Sequence, residues 1–410
     1  MKFPTKRLRY LAKVVNGGTP SVDADNWNGA IPWATPVDLG RVNGATLTST
    51  ERTLTMKGAL NGSAMVPAGS VILSTRAPIG YTAVANMATA FNQGCKALVP
   101  AASADGRFLR YSIEATTAAL VALGRGSTFL EVNSRDLAAH RVPTAPIETQ
   151  REIAHYLDHE TAEIDAFIAD LLHSRVLTIE RTRSFASFQI ERGAASATSE
   201  SILSHVIDVN AGQIDPLVDH YADLPLIAPN HIESRTGRLL YLESARDQGA
   251  ISGKYKVRAG QVLYSKIRPA LMKATIAPCD SLCAADMYAM DARPVWLSND
   301  YLLEYLLSDR FEQYAVTMSD RVAMPKLNRD ALGRAPIRIP SADIQARAVL
   351  AIKISRRAQF DAIADIDAAI ALAKERRAAL ITAAVTGQID VTTKQKPAVD
   401  RIQTAIQEGR

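Results

Sequence analysis

Three groupings of side chains in this sequence could do chemistry. Cys279 and Cys283 stand in a C-x3-C spacing. A thiolate metal site would need a second ligand pair near them, and none is there, so they read as two small thiols. His155 and His159 lie four residues apart and would share one helix face, where they could hold a metal together. Beside Asp158 and Glu160 they read instead as surface residues of that helix. The third grouping is Gly124-Arg125-Gly126-Ser127-Thr128, whose backbone N–H groups could cradle a phosphate. Machinery for acting on nucleic acid is missing in three familiar forms. The one Gly-Lys pair, Gly253-Lys254, is followed by Tyr255 and makes no P-loop. No Asp or Glu has Lys two positions on, as a metal-dependent nuclease would, and there is no Pro-Pro loop of the amino-methylating kind. No catalytic residue, metal or cofactor is expected.

The elements that must position these residues come in two copies. Val15-Asn16-Gly17-Gly18 recurs as Val209-Asn210-Ala211-Gly212, and Gly69–Ser74 followed by Pro78 recurs as Gly260–Ser265 followed by Pro269. Asn133, Leu137 and Gln150 recur as Asn328, Leu332 and Gln345 at a constant offset of 195 residues. Each copy reads as a mixed globular part of about 145 residues, rich in Gly, Pro, Thr and Val, followed by a long helix. Short strands are expected at Ser70–Leu73, Lys96–Val99 and Gln261–Tyr264, and helices at Gly106–Leu123 and Asn299–Val316. Between Glu148 and Arg192 there is neither Pro nor Gly. Ile153, Leu157, Ile164, Ile168, Leu171, Ile179 and Phe185 recur there at three and four spacings. The second stripe, from Asp343 to Thr386, ends on Gly387 as a C-cap. Stripes this long need partners, and the economical solution pairs them as an antiparallel coiled coil.

The chain has 410 residues, of which 47% are hydrophobic and 22% charged, which excludes disorder and asks for two to four folding units. Three cysteines make no disulfide framework, and no leader or spanning segment is read, so a cytoplasmic chain without membrane contact is expected. Charge is uneven: residues 1–147 hold 15 Lys/Arg against 8 Asp/Glu, and 235–273 hold nine basic residues against two acidic ones. Such a concentrated positive field attracts polyanions, nucleic acid first among them.

Ser74-Thr75-Arg76-Ala77-Pro78-Ile79-Gly80, Phe91-Asn92-Gln93-Gly94, Glu148–Ala154 and Glu375–Gln388 together resemble the specificity subunit of type I restriction-modification enzymes over roughly residues 6–391. The second copy departs from the pattern at Ala285-Asp286-Met287 and Asp343–Arg347. The resemblance implies an α+β fold with two target-recognition domains of pseudo-two-fold symmetry, separated by two long helices in an antiparallel coiled coil. The expected boundaries are a first recognition domain at 1–147, a helical spacer at 148–192, a second recognition domain at 193–342, a second spacer at 343–391 and a polar tail at 392–410. It also implies a non-catalytic subunit that reads a bipartite, asymmetric site on double-stranded DNA. Two methyltransferase subunits and restriction/translocase subunits would be its partners, with the helices as ruler and docking surface.

Contacts to DNA can be nominated by type and place. Basic residues beside the shared Ser-x-x-x-Pro turn come first: Arg76 in one copy, Lys266, Arg268 and Lys273 in the other. Arg125 and Arg321, in the loop before the repeated Asn, come next. The counterpart loop Ser319–Ala323 keeps an Arg but no Gly, which suits a long polyanion better than a nucleotide pocket, with an ordinary turn as the equal alternative. Arg41, Lys57, Arg235 and Lys254 follow on charge and turn context. Two other functions compete: an enzyme with unfamiliar machinery, and a coiled-coil scaffold whose globular ends bind proteins.

Overall fold

The computed structural model describes residues 3–42, 44–125, 130–197, 199–210, 212–319 and 325–391. The chain forms two compact units, one of residues 1–169 with 369–410, the other of residues 170–368. Each contains one globular part and a stretch of both long helices.

The repeat seen in the sequence is a repeat of strand pairings. In the first unit a mainly antiparallel sheet runs in the order Ala12–Asn16, Cys95–Pro100, Val71–Ser74, Thr82–Ala85, with Thr46–Leu47 added in parallel at the edge. In the second unit the order is Ile207–Val209, Met287–Ala292, Val262–Ser265, Ala274–Ile276. Even the register is shared: Ala97 faces Ile72 in one, and Ala289 faces Leu263 in the other. A second small sheet repeats as well, with Trp27–Ala34 parallel to Thr89–Phe91 and Ala64–Val66 antiparallel to it, matched by Leu226–Ile227, Ser281–Cys283 and Tyr255–Val257. The cause lies in the buried faces. Val71, Leu73, Leu98, Leu109 and Ile113 in the first core stand where Val262, Tyr264, Met290, Leu302 and Leu306 stand in the second. The Asn-Gly-Gly motif has a packing reason, since a Cβ on Gly17 would lie 2.0 Å from the carbonyl oxygen of Asn92.

The helices expected in the globular parts are each broken in two. Gly106–Glu114 is followed by Thr117–Val121, and Asn299–Leu306 by Asp309–Thr317. In the second copy Ser308 makes the break, its Oγ accepting the Phe311 N–H and so starting a new helix.

The long helices span Ile147–Ala195 and Ala342–Val385, each on the order of 70 Å at 1.5 Å per residue. They pair antiparallel within each unit. Ile153, Ala154 and Leu157 pack with Ile381, Ala384 and Val385 in the first. Ala186 and Ile190 share a cluster with Ala348, Val349 and Ile352 in the second. Phe185, read as part of the apolar stripe, is exposed, because Ala186 and Ile190 hold the seam one position on. The first helix also runs through Gly193, where a side chain would crowd the Tyr301 hydroxyl at 3.2 Å; that glycine is there for packing and ends nothing. Gly387, with φ of +71°, does end the second helix, and Gln388 N–H returns to the Ala383 carbonyl.

Each helix start is tied to its globular part by the repeated glutamine. Gln150 is buried; its Nε2 donates to the carbonyls of Ser103 and Ala145, and its Oε1 accepts the Asp105 N–H. Gln345 does the same with Trp296, Pro340 and Ser298. One turn further on the ties differ. Arg107 of the first globular part pairs with Asp158 of the helix at 2.9 Å, whereas the equivalent pair in the second unit is Asp300 with Lys353 at 2.8 Å, the polarity reversed. Next to it, the Tyr111 hydroxyl bonds Asp158 and Thr161, and its counterpart is a buried, bidentate Glu304–Arg356 pair at 2.5 and 2.7 Å.

Candidate nucleic-acid interface

The turn after the central strand carries the first-ranked residues in both units. In the first, Ser74 Oγ donates to the Pro78 carbonyl and accepts the Tyr81 N–H, closing the turn on itself. The Thr75 and Arg76 N–H groups both reach the Gly94 carbonyl, so the Asn-Gln-Gly motif serves as the turn's backing. Across it runs the segment of Glu131 and Val132, held by a Val132 N–H to Thr75 carbonyl bond of 2.9 Å. Glu131 gathers the cations here: Arg76 Nε lies 2.9 Å from one carboxylate oxygen and the mostly buried Lys96 Nζ 3.5 Å from the other. Arg125 exchanges two backbone hydrogen bonds with Glu131 and pairs its side chain with Asp136 at 3.2 Å. The structure therefore brings Arg76 and Arg125 together. Arg41, paired with Glu51, and Lys57, paired with Asp25, lie apart from that cluster on exposed surface.

In the second unit the same crossing joins residues 266–268 to residues 325–327. Leu327 N–H donates to the Lys266 carbonyl, Arg268 N–H donates to the Pro325 carbonyl, and Ile267 faces Lys326. Lys266 sits over the Tyr288 ring at 5.3 Å. Arg268 and Lys326 are exposed and have no ion-pair partner among the described residues. Lys326 stands at the 195-residue offset from Glu131.

Other nominated residues are placed differently. Lys254 is buried with its Nζ on the carbonyl and hydroxyl oxygens of Ser252, and Lys273 reaches down to the Pro229 carbonyl at 2.6 Å. Burial holds both amines below the ordinary lysine range. Lys254 is thus held inside the fold, and Lys273 is half-buried with its amine turned to the backbone. Arg235 forks onto Glu312 and the Ala270 carbonyl. Arg321 and the Gly126–Thr128 part of the candidate phosphate loop lie outside the described residues. The positive excess of 235–273 is largely neutralised by acids from elsewhere: Glu312 on Arg235, Glu233 on Arg238, Asp223 on Arg246 and Asp291 on Arg258.

No metal constellation forms among the described residues. The Cys283 thiol is pushed up to about 12 by burial, and His159 faces Glu163. No helix among the described residues is long and apolar enough to cross a membrane.

Residues 2–171 match the family model described as the type I restriction modification DNA specificity domain. Over that stretch the chain carries the sequence pattern of this domain. It is 28% identical over 265 residues to the EcoDI specificity subunit of Escherichia coli, covering 57% of this chain and 59% of that one. It is 32% identical over 161 residues to the MjaIX specificity subunit of Methanocaldococcus jannaschii, covering 38% and 37%. The chain thus spans about three fifths of the first relative and little over a third of the second. A chain of a solved type I restriction-modification system, studied for complex assembly and conformational transition, superposes with a TM-score of 0.66 over 95% of this chain and 98% of that one. At 16% identity this likeness is one of fold, and it takes in both units.

Proposed function

We propose that this chain is the non-catalytic DNA-recognition subunit of a type I restriction-modification complex, each globular part reading one half of a split, asymmetric target. The observation that carries this is the strand-for-strand duplication of one scaffold under different surface loops. A homodimer of identical readers suits a palindrome; two unlike readers in one chain suit two unlike half-sites. The recognition domains are assigned to 1–147 and 193–342, the spacers to 148–192 and 343–391, and the tail to 392–410. Phosphate contacts fall to the cations beside the turns, Arg76 and Arg125 in the first domain and Lys266 and Arg268 in the second, with Arg41 and Lys57 as outlying candidates.

The partners are double-stranded DNA, two methyltransferase subunits that act on adenines in the target, and restriction/translocase subunits, all in the cytoplasm. The helices offer a protein partner exposed apolar side chains: Phe167 and Leu372 in the first unit, and Phe188, Leu350 and Ile354 in the second, the last three at least 60% exposed. Mapping methylated adenines in cells that carry this chain with its methyltransferase tests the reading. A split motif with one methylated adenine in each half is expected; methylation that persists unchanged when the chain is deleted contradicts it.

A further inference from the structure

Each domain meets both long helices, and the second of these contacts is made the same way in each unit. In the first, Arg377 of the second helix donates to Glu114 of the domain and lies 2.9 Å from Asp165 of the first helix. The other oxygen of Glu114 takes Arg110 at 2.9 Å, whose guanidinium lies on the Tyr111 ring. In the second unit Arg183 of the first helix bonds Asp309 and Glu312 of the domain. Glu312 also holds Arg235 at 2.6 and 2.9 Å, and Arg235 reaches on to the Ala270 carbonyl of the turn. Both are Arg-Glu-Arg triads whose first member comes from the helix of the other copy. Arg377 is 13% exposed and Glu312 17%, so water screens these ties less than it does a surface pair. They are not repeat counterparts: the 195-residue offset pairs Arg377 with Thr182 and Arg183 with Ala378. Two unrelated sets of residues arrive at one arrangement.

We infer that Arg377 and Arg183 are positioning residues that restrict the protein to one spacing between its two half-sites. The inference rests on the DNA-recognition reading and deepens it. The buried glutamine and the ion pair beside it fasten a domain to the start of its own helix, and a joint on one helix leaves freedom to tilt about it. Each triad adds a tie to the antiparallel neighbour, off that axis, and removes the tilt. Across a domain about 30 Å wide, a tilt of roughly 7° carries the far face about 3.4 Å, one base-pair step. A ruler is only as strict as the seats at its ends, and these two arginines are the second fastening of each seat.

The test is the spacer length of methylated motifs in cells that carry the full chain with its methyltransferase partner. Wild type is expected to methylate a split motif at a single spacer length. Arg183→Ala and Arg377→Ala are each expected to raise methylation at sites whose spacer is a base pair longer or shorter by on the order of tenfold, with both half-site sequences unchanged. Val262→Ala, which hollows the core of the second domain, is the control for lost stability. It is expected to lower methylation at all sites alike and to add no spacing. Should an Ala variant methylate nothing, Arg183→Lys and Arg377→Lys decide in its place, since lysine keeps the charge and loses the planar fork. Variants that keep the wild-type spacing alone, lysine variants that methylate nothing, or a control that adds spacings too would each overturn the inference and leave the reading standing. A wild type without a split motif removes the reading and the inference with it.

Discussion

The two globular domains share a frame and differ in how that frame is fastened and charged. Both tie the start of a long helix with a buried glutamine making three backbone hydrogen bonds. Both then bridge domain to helix at equivalent positions, but with Arg107–Asp158 in one and Asp300–Lys353 in the other. The lesson is that duplication retained the geometry of the joint and left its polarity free. Each domain now fits its own helix: set on the other's, Arg107 would meet Lys353 and Asp300 would meet Asp158.

The largest effect is expected where the fastenings are least alike. Arg356→Ala strands Glu304, which is 2% exposed, and should cost about 3–5 kcal/mol. Tyr111→Phe at the matching place removes a neutral hydroxyl and should cost about 1 kcal/mol. Denaturant unfolding of the full chain compares them, and equal losses would break the contrast. Where the fastenings are alike the costs should be alike: Gln150→Ala and Gln345→Ala each leave two carbonyls and an N–H unpaired, about 3 kcal/mol apiece. A difference of more than about 1 kcal/mol between them would show that the shared joint is not energetically shared.

Smaller effects sharpen the polarity argument. Arg107 and Asp158 are both more than a third exposed, so Arg107→Asp should cost no more than about 1 kcal/mol. Adding Asp158→Lys, which installs the second unit's polarity, should recover most of that loss in thermal melting; no recovery would mean that the pair does not set the fit. The smallest effect is acid sensitivity. Burial lowers the folded-state affinity of His140 and His231 for a proton, so the unfolded chain binds protons more readily. Stability from these rings is full above the ordinary histidine value of 6.5 and is lost as pH falls below it. His140→Gln should flatten the fall in stability between about pH 7 and 5.

Much of this was legible in the sequence, and what was not follows a physical pattern. The repeat, the paired helices and the Gly387 cap were readable because periodicity and spacing are local. Asn133 and Asn328 recurred because each side chain caps a helix, accepting the N–H of Asp136 or Ala331. The basic stretch at 235–273 misled because the acids that answer it, such as Glu312 and Asp291, arrive from distant strands and helices. Lys254 looked like a surface cation because nothing in a linear count reveals a buried amine on a carbonyl oxygen. Gly193 lies inside the first helix, packed against the hydroxyl of Tyr301 from over a hundred residues away, a contact no local pattern shows.

The central claim, that each domain reads its own half of a split target, is tested most directly by methylome sequencing after the loops of the second domain alone are exchanged for those of a relative with a different target. The account predicts that one half of the methylated motif changes and the other half and the spacing persist. A motif that changes in both halves, or in neither, would contradict it.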